Sequence, residues 1–207
     1  MKLHMYEMKR IFFRTLFIFL SIYLQSAVFS QDTVKIRRYS SPIEFDGRPF
    51  EAAWSEARYF PMTQHQPNFG IEPSERSDIM ITYDNEYVWV GARLYMQDAS
   101  KIVIYGKKRD DIQIFYDAFD ITFDTYNDNE NALVFFTNPA GLRGDYSVAN
   151  DGVMTTNWRN PNWNTFWDVE TSRDDQGWYI EMRIPFSSLK LKPDNDNITT
   201  MAVSYTH

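Results

Sequence analysis

The 207-residue chain contains no cysteine. That excludes a disulfide framework, a thiolate metal site, a cysteine nucleophile and a lipoprotein-type cysteine. Histidine is almost as scarce: His4, His65 and His207 are the whole complement. A single interior imidazole cannot build a histidine-based metal centre. No glycine-rich phosphate loop and no Gly-x-Ser-x-Gly nucleophile elbow occurs. Long apolar runs are missing too. The best of them, Leu16 to Leu24, is far shorter than the roughly 20 residues that span a bilayer and follows directly on Arg14 and Thr15. Periodicity of the helical kind is sparse. Basic residues are outnumbered by acidic ones, 21 to 28.

What is present begins with a leader. Lys2, Lys9, Arg10 and Arg14 precede the apolar run, and Val28-Phe29-Ser30 places small residues before Gln31. This pattern predicts a signal peptide over 1–30 and an exported domain over 31–207. Without residues 1–30 the chain loses four basic and one acidic residue, so the net charge of −7 becomes −10. That charge argues against nucleic acid and anionic membrane surfaces as partners. It suits neutral sugars, divalent cations or basic partners, and equally well a plain need for solubility.

Aromatics make up 17% of the chain, which favours pleated, half-buried surfaces. Phe119, Ile121 and Phe123 alternate with Asp120, Thr122 and Asp124, then an Asn/Asp-rich turn leads into the run Ala132 to Thr137. This reads as a hairpin with one apolar and one carboxylate-bearing face. Further strands are expected at 79–83, 87–95, 166–171, 178–184 and 201–205. Short helical turns are expected at 50–57, after Pro49, and at 187–190. The fold class is therefore all-β: an antiparallel, jelly-roll-like β-sandwich with one or two short helical turns. Trp54, Trp89 and Trp178 fall on apolar periodicities and read as core.

Sugar rings stack their C–H faces on aromatics while their hydroxyls seek paired donors and acceptors. Two segments have that character. One is Asn157 to Trp167, with Trp158, Trp163 and Trp167 interleaved with Asn and Arg. The other is Phe115-Tyr116, flanked by Arg109, Asp110 and Asp117. Trp158, between Asn157 and Arg159, is the best placed for exposure; Trp163 and Trp167 could equally plug the end of the sandwich. Asp124, Asp128 and Glu130 make the hairpin turn oxygen-rich enough for calcium, although Asn and Asp also favour turns for local reasons. Asp120, Asp168 and Glu181 could face a common groove as a hydrolase would need. In a chain with 28 acidic residues that coincidence carries little weight.

Read in order, Ile43-Glu-Phe-Asp-Gly47 with Glu51-Ala-Ala-Trp54, Gln66 to Gly70, Ser77 to Asp84 with Tyr87 to Gly91, Asp98, Arg109-Asp110, the Asp117–Phe136 hairpin, Asn138 to Gly141 and Gly177 to Phe186 with Leu189 resemble the family 9 carbohydrate-binding modules. The likeness is to those relatives found at the amino-terminal end of large exported Gram-negative proteins, ahead of an outer-membrane β-barrel region. It implies a non-catalytic domain that binds oligo- or polysaccharide, serves carbohydrate breakdown or uptake, and is supported by calcium. Its setting would be periplasmic, outer-membrane-associated or extracellular. Where the family carries its first clamp Trp, just before Asp117, this chain has Ile114-Phe115-Tyr116. The second clamp position would lie beyond residue 207, so the domain is expected to be truncated at its carboxy-terminal end. The alternative reading is an interaction or gating domain of a barrel protein without sugar binding; a glycoside hydrolase is the third.

Overall fold

The computed structural model describes residues 35–112, 116–153, 158–191 and, as backbone, 200–206. The expected leader, Phe115 and Asn157 lie outside these residues. The described residues belong to one unit, Lys35–His207. Among them, strands β1 (Arg37–Arg38), β2 (Arg58–Phe60), β3 (Ser77–Tyr83), β4 (Tyr87–Tyr95), β5 (Ala118–Asp124), β6 (Ala132–Thr137), β7 (Gly144–Val148), β8 (Arg159–Asn160), β9 (Asp168–Asp174), β10 (Gly177–Pro185) and β11 (Thr200–Thr206) build two sheets. The first runs β1-β3-β4-β10-β9, with β2 also on β3; the second runs β11-β5-β6-β7-β8. All pairings are antiparallel except β1 with β3.

Alternation decides which faces meet. Ile79, Ile81, Val90 and Leu94 of the first sheet pack with Phe119, Ile121, Phe123 and Phe135 of the second in one buried cluster. Along β10, Trp178, Ile180, Met182 and Ile184 enter the same cluster. This is the expected β-sandwich, and the expected hairpin is formed, with Phe123 opposite Leu133 and Ile121 opposite Phe135. Its turn sets Asn127 and Asn129 at φ 51° and 56°, left-handed conformations that Asn tolerates better than most residues. The helical turns are shorter than expected: α1 covers Ala52–Glu56, and a 3-10 turn covers Phe186–Ser188.

The first sheet carries a third layer on its outer face. There, Met80, Trp89 and Ala57 bury Trp54, with Tyr39, Ile43, Phe45 and Tyr87 around them. Trp54 fits because residue 91 is glycine: a Cβ there would sit 2.8 Å from two atoms of its ring. Gly47, at φ 77°, presses on β9 so closely that a Cβ would meet Thr171 N at 2.7 Å. Only glycine serves both the conformation and the approach. Trp54, Trp89 and Trp178 are 0%, 6% and 0% exposed, as their periodicity implies.

Candidate functional site

The outer face of the second sheet has a different character. Asp120 and Thr122 alternate with the core residues of β5, and the register places Thr122 opposite Val134, Val134 opposite Tyr146, and Val148 opposite Arg159. Asp120, Thr122, Tyr146, Val148 and Arg159 thus share one half-exposed face. The Arg159 guanidinium lies 4.1 Å from the centre of the Tyr146 ring, a stacked cation–π geometry. Its Nε is buried and has no hydrogen-bond partner among the described residues. Burial pushes the Tyr146 phenol up; the charge of Asp120 adds to this and Arg159 opposes it. Toward the hairpin end the face opens into a cavity of about 260 Å³ lined by Thr122, Asp124, Asn129, Glu130, Val148 and Asp151. The Asp151 amide donates to Glu130 O at 2.9 Å and closes its far wall.

The residues singled out from sequence are distributed over three places. Arg109 belongs to a network rather than an open surface. It donates to Asp145, to Asn164 Oδ1 at 2.8 Å and to Thr165 O at 3.3 Å. Asp145 is 1% exposed and also accepts from the Thr165 amide at 2.7 Å and Trp167 Nε1 at 3.3 Å. Burial pushes its carboxyl up, against the Thr165 amide, the indole and Arg109. Trp167 is 0% exposed and meets Phe135 edge-on at 5.4 Å. The stacking role expected of Trp167 does not stand: its ring is core, which was the other reading of that residue. Trp163 is half-buried, 6.0 Å edge-on from Phe135 with the Lys190 ammonium 5.8 Å from its ring. Trp158 is half-buried too, and its carbonyl accepts from the Ala149 amide at 2.9 Å, fixing it at the start of β8.

Tyr116 and Asp117 form the third place. Tyr116 is 36% exposed and stacks on Tyr105, centroids 5.0 Å apart and planes 14° off parallel. Tyr116 and Asp117 line a cavity of about 290 Å³ with Gln97, Asp98, Lys101 and Val103. Asp117 is 4% exposed and its Oδ2 accepts from the Val103 amide, so it positions the loop beside Tyr116 rather than offering itself to a ligand. Sequence reading missed Tyr146, which sits in the short strand β7 that no alternation announced.

Calcium does not fit the hairpin turn. Asp124 Oδ1 accepts from the amides of Tyr126 and Asp128, and its Oδ2 from that of Asn129 at 2.9 Å. Asp128 Oδ1 accepts from the Glu130 and Asn131 amides. The carboxylates of Asp124, Asp128 and Glu130 do not bring one oxygen each to a common point. They cap the turn's own N–H groups, a local role that Asx residues often take. The groove suggested by Asp120, Asp168 and Glu181 is not formed either. Asp120 faces outward from the second sheet, whereas Asp168 binds Arg183 at 2.9 Å and Glu181 is 0% exposed on the outer side of the first. A sandwich about 10 Å thick separates the two faces.

No protein-family model matches the chain, and no curated protein matches it. Solved structures similar to the chain include two carbohydrate-binding modules. A family 9 carbohydrate-binding module from Caldicellulosiruptor kristjanssonii in complex with glucose is 17% identical over 83% of this chain and 78% of its own, with a TM-score of 0.49. A family 9 module from the same organism in complex with cellotriose is 17% identical over 81% and 73%, with a TM-score of 0.47. Likeness at this level assigns no ligand to the present chain.

Proposed function

We propose that this domain is a non-catalytic, exported carbohydrate-binding module that holds neutral oligo- or polysaccharide against the outer face of its second sheet. One observation carries the reading: the half-exposed Tyr146–Arg159 pair, whose buried Nε has no acceptor among the described residues, on the face that also carries Asp120 and Thr122. A pyranose needs an apolar ring face for its C–H groups and both donors and acceptors for its hydroxyls. Here the aromatic and the donor stand on the adjacent strands β7 and β8, and the acceptors share their face on β5, across β6. Trp158 extends the face at its β8 edge, and Tyr116 extends the surface before β5. Arg109 acts indirectly, through Asp145, by holding the loop that leads from Trp158 to Trp167.

Stacking on one aromatic contributes about 0.5–1.5 kcal/mol beyond area burial, so binding is weak, and a neutral ligand makes it insensitive to salt. Titration calorimetry with xylo- and cello-oligosaccharides is the test. Y146A should weaken binding about 3–10-fold while the protein stays folded. A broad glycan panel that gives no heat with folded wild-type protein overturns the reading. Export is supported by the residue pattern of 1–30, and the mature protein should begin at Gln31. The second reading, an interaction module of an outer-membrane barrel assembly, is favoured by Phe69. That ring is 81% exposed on the loop closed by the Gln64 amide and Ile71 O at 2.9 Å. Substituting Phe69 should leave glycan binding intact; loss of partner capture but not of glycan binding would favour this second role.

A further inference from the structure

The 43–57 segment is fastened to the first sheet through a carboxyl group that water does not reach. Glu181, on β10, is 0% exposed. Its Oε2 accepts from the amides of Asp46 and Gly47, both at 2.9 Å, and its Oε1 from Trp54 Nε1 at 2.9 Å. Glu51 comes from the same segment. Its Oε1 accepts from the Glu44 amide at 3.0 Å, and its Oε2 is buried without a hydrogen-bond partner among the described residues. One carboxylate oxygen each from Asp46, Glu51 and Glu181 lies within 4.8 Å of the other two. A carboxylate buried so close to two others resists ionisation. A buried oxygen with no donor is costly, and a proton on Glu181, on the side of Glu51, eases both difficulties.

We propose that Glu181 holds a proton at neutral pH, and that this proton latches the 43–57 segment onto the sheet. With it in place, both carboxyl groups are satisfied and Trp54 stays seated beneath them. When it leaves, the two charges repel and the segment loosens. The surrounding charges favour keeping the proton. Asp46 stands beside the pair, and Glu170 is opposite Glu181 in the β9–β10 register. Arg93 and Arg183 flank Glu181 on the same face but are committed elsewhere, Arg93 to Pro49 O at 2.6 Å and Arg183 to Asp168 at 2.9 Å. On β4 the neighbour is Gly91, which carries no charge. Arg48 acts on Asp174 and Tyr179, farther along the strand.

The direction of the pH effect follows. Burial pushes Glu181 up to about 7; the Gly47 and Asp46 amides oppose this, Glu51 reinforces it and the Trp54 indole opposes it. An unfolded Glu releases its proton near its ordinary value of 4.5. Between the two values the folded chain holds a proton that the unfolded chain has lost. Stability is therefore fullest below about 4.5 and falls as pH rises through about 7, by up to roughly tenfold in the unfolding constant per pH unit.

A carboxyl-¹³C NMR titration joined to urea unfolding between about pH 5 and 8 tests the latch. In wild type one Glu carboxyl should titrate near 7, and the unfolding constant should rise on the order of a hundredfold across two pH units. E51Q places an amide N–H where the proton sits. Its Glu181 signal should move to lower pH, and the unfolding constant should depend on pH less than in wild type, burial alone still holding part of the shift. E181Q, read by NMR of the remaining carboxyls, should show no Glu titrating near neutrality. If no Glu carboxyl titrates above about pH 6, or if E51Q keeps the wild-type slope, the proton latch is refuted. Calcium that stabilises wild type but not E51Q refutes it as well, because a cation would then hold the pair.

Discussion

Replacing Asp145 with alanine should be among the most damaging single changes in the domain. The carboxylate has no exposed side-chain surface and answers three donors at once: Arg109 Nη2, Thr165 N and Trp167 Nε1. Breaking a buried pair by removing one partner costs about 3–5 kcal/mol. Arg109 is 35% exposed and can recover some hydration, which points to the lower half of that range. The buried indole N–H cannot, and an orphaned donor costs about 1–3 kcal/mol. Together these place D145A at about 3–4 kcal/mol, a large share of the 5–15 kcal/mol that holds a typical domain. In urea, with a slope of about 2 kcal/mol/M for a domain of this size, the midpoint should fall by about 1.5–2 M. D145N keeps the shape but turns an amide N–H toward one of the donors, and should lose about half as much. A D145A midpoint within about 0.5 M of wild type would refute the reasoning, because the orphaned Thr165 amide and Trp167 indole could not then be worth what burial implies. The network also fixes the loop between Trp158 and Trp167, so folded D145N should bind glycan more weakly than wild type.

Two further substitutions test neighbouring parts of the structure. G91A puts a methyl group 2.8 Å from the Trp54 ring and 3.0 Å from Pro49 Cβ; overpacking of this kind should cost about 1–3 kcal/mol and alter Trp fluorescence in the native baseline. D124A removes the acceptor for the Tyr126, Asp128 and Asn129 amides, so the melting temperature should fall by the equivalent of about 1–3 kcal/mol. That loss should be the same with or without added calcium; a calcium-dependent difference between wild type and D124A would show that the turn holds an ion after all.

Much of the fold was readable because alternation is a strong signal wherever one face is buried. Phe119, Ile121 and Phe123 on β5, and Trp178, Ile180, Met182 and Ile184 on β10, declared their faces unambiguously. The strands that escaped notice are short or lack apolar alternation. β8 has two residues, and β7 reads Gly-Asp-Tyr-Ser-Val, whose pairing is set by β6 rather than by its own propensity. Composition is a poor guide to the site for a related reason. Trp167 and Arg109 have the chemistry of a sugar site, but Asp145 draws both inward. Asp145 sits on β7, and nothing local in the sequence shows that it will be buried. Only long-range pairing decides whether an Arg, Asp and Trp set binds a ligand or one another.

The two outer faces show why the second sheet is the place to look for a ligand. Both carry aromatics, arginines and carboxylates, so side-chain type does not separate them. On the first sheet the chain supplies its own cover. Trp54 fills the space over Gly91, Glu181 takes up the amides of Asp46 and Gly47, and the arginines are matched to Pro49 O and Asp168. On the second sheet the corresponding matches are incomplete: Arg159 stacks on Tyr146, yet its buried Nε has no acceptor among the described residues. A buried donor without an acceptor costs stability, and a ligand hydroxyl that accepts from it recovers that cost. The R159A variant decides whether this is the reason for the arrangement. If glycan binding uses the unmatched N–H, R159A should weaken binding about tenfold, near the 1.5 kcal/mol of a hydrogen bond to a charged group. The same change should cost the free protein little. An R159A protein that melts much lower and binds as before would place Arg159 in the fold and not in the site.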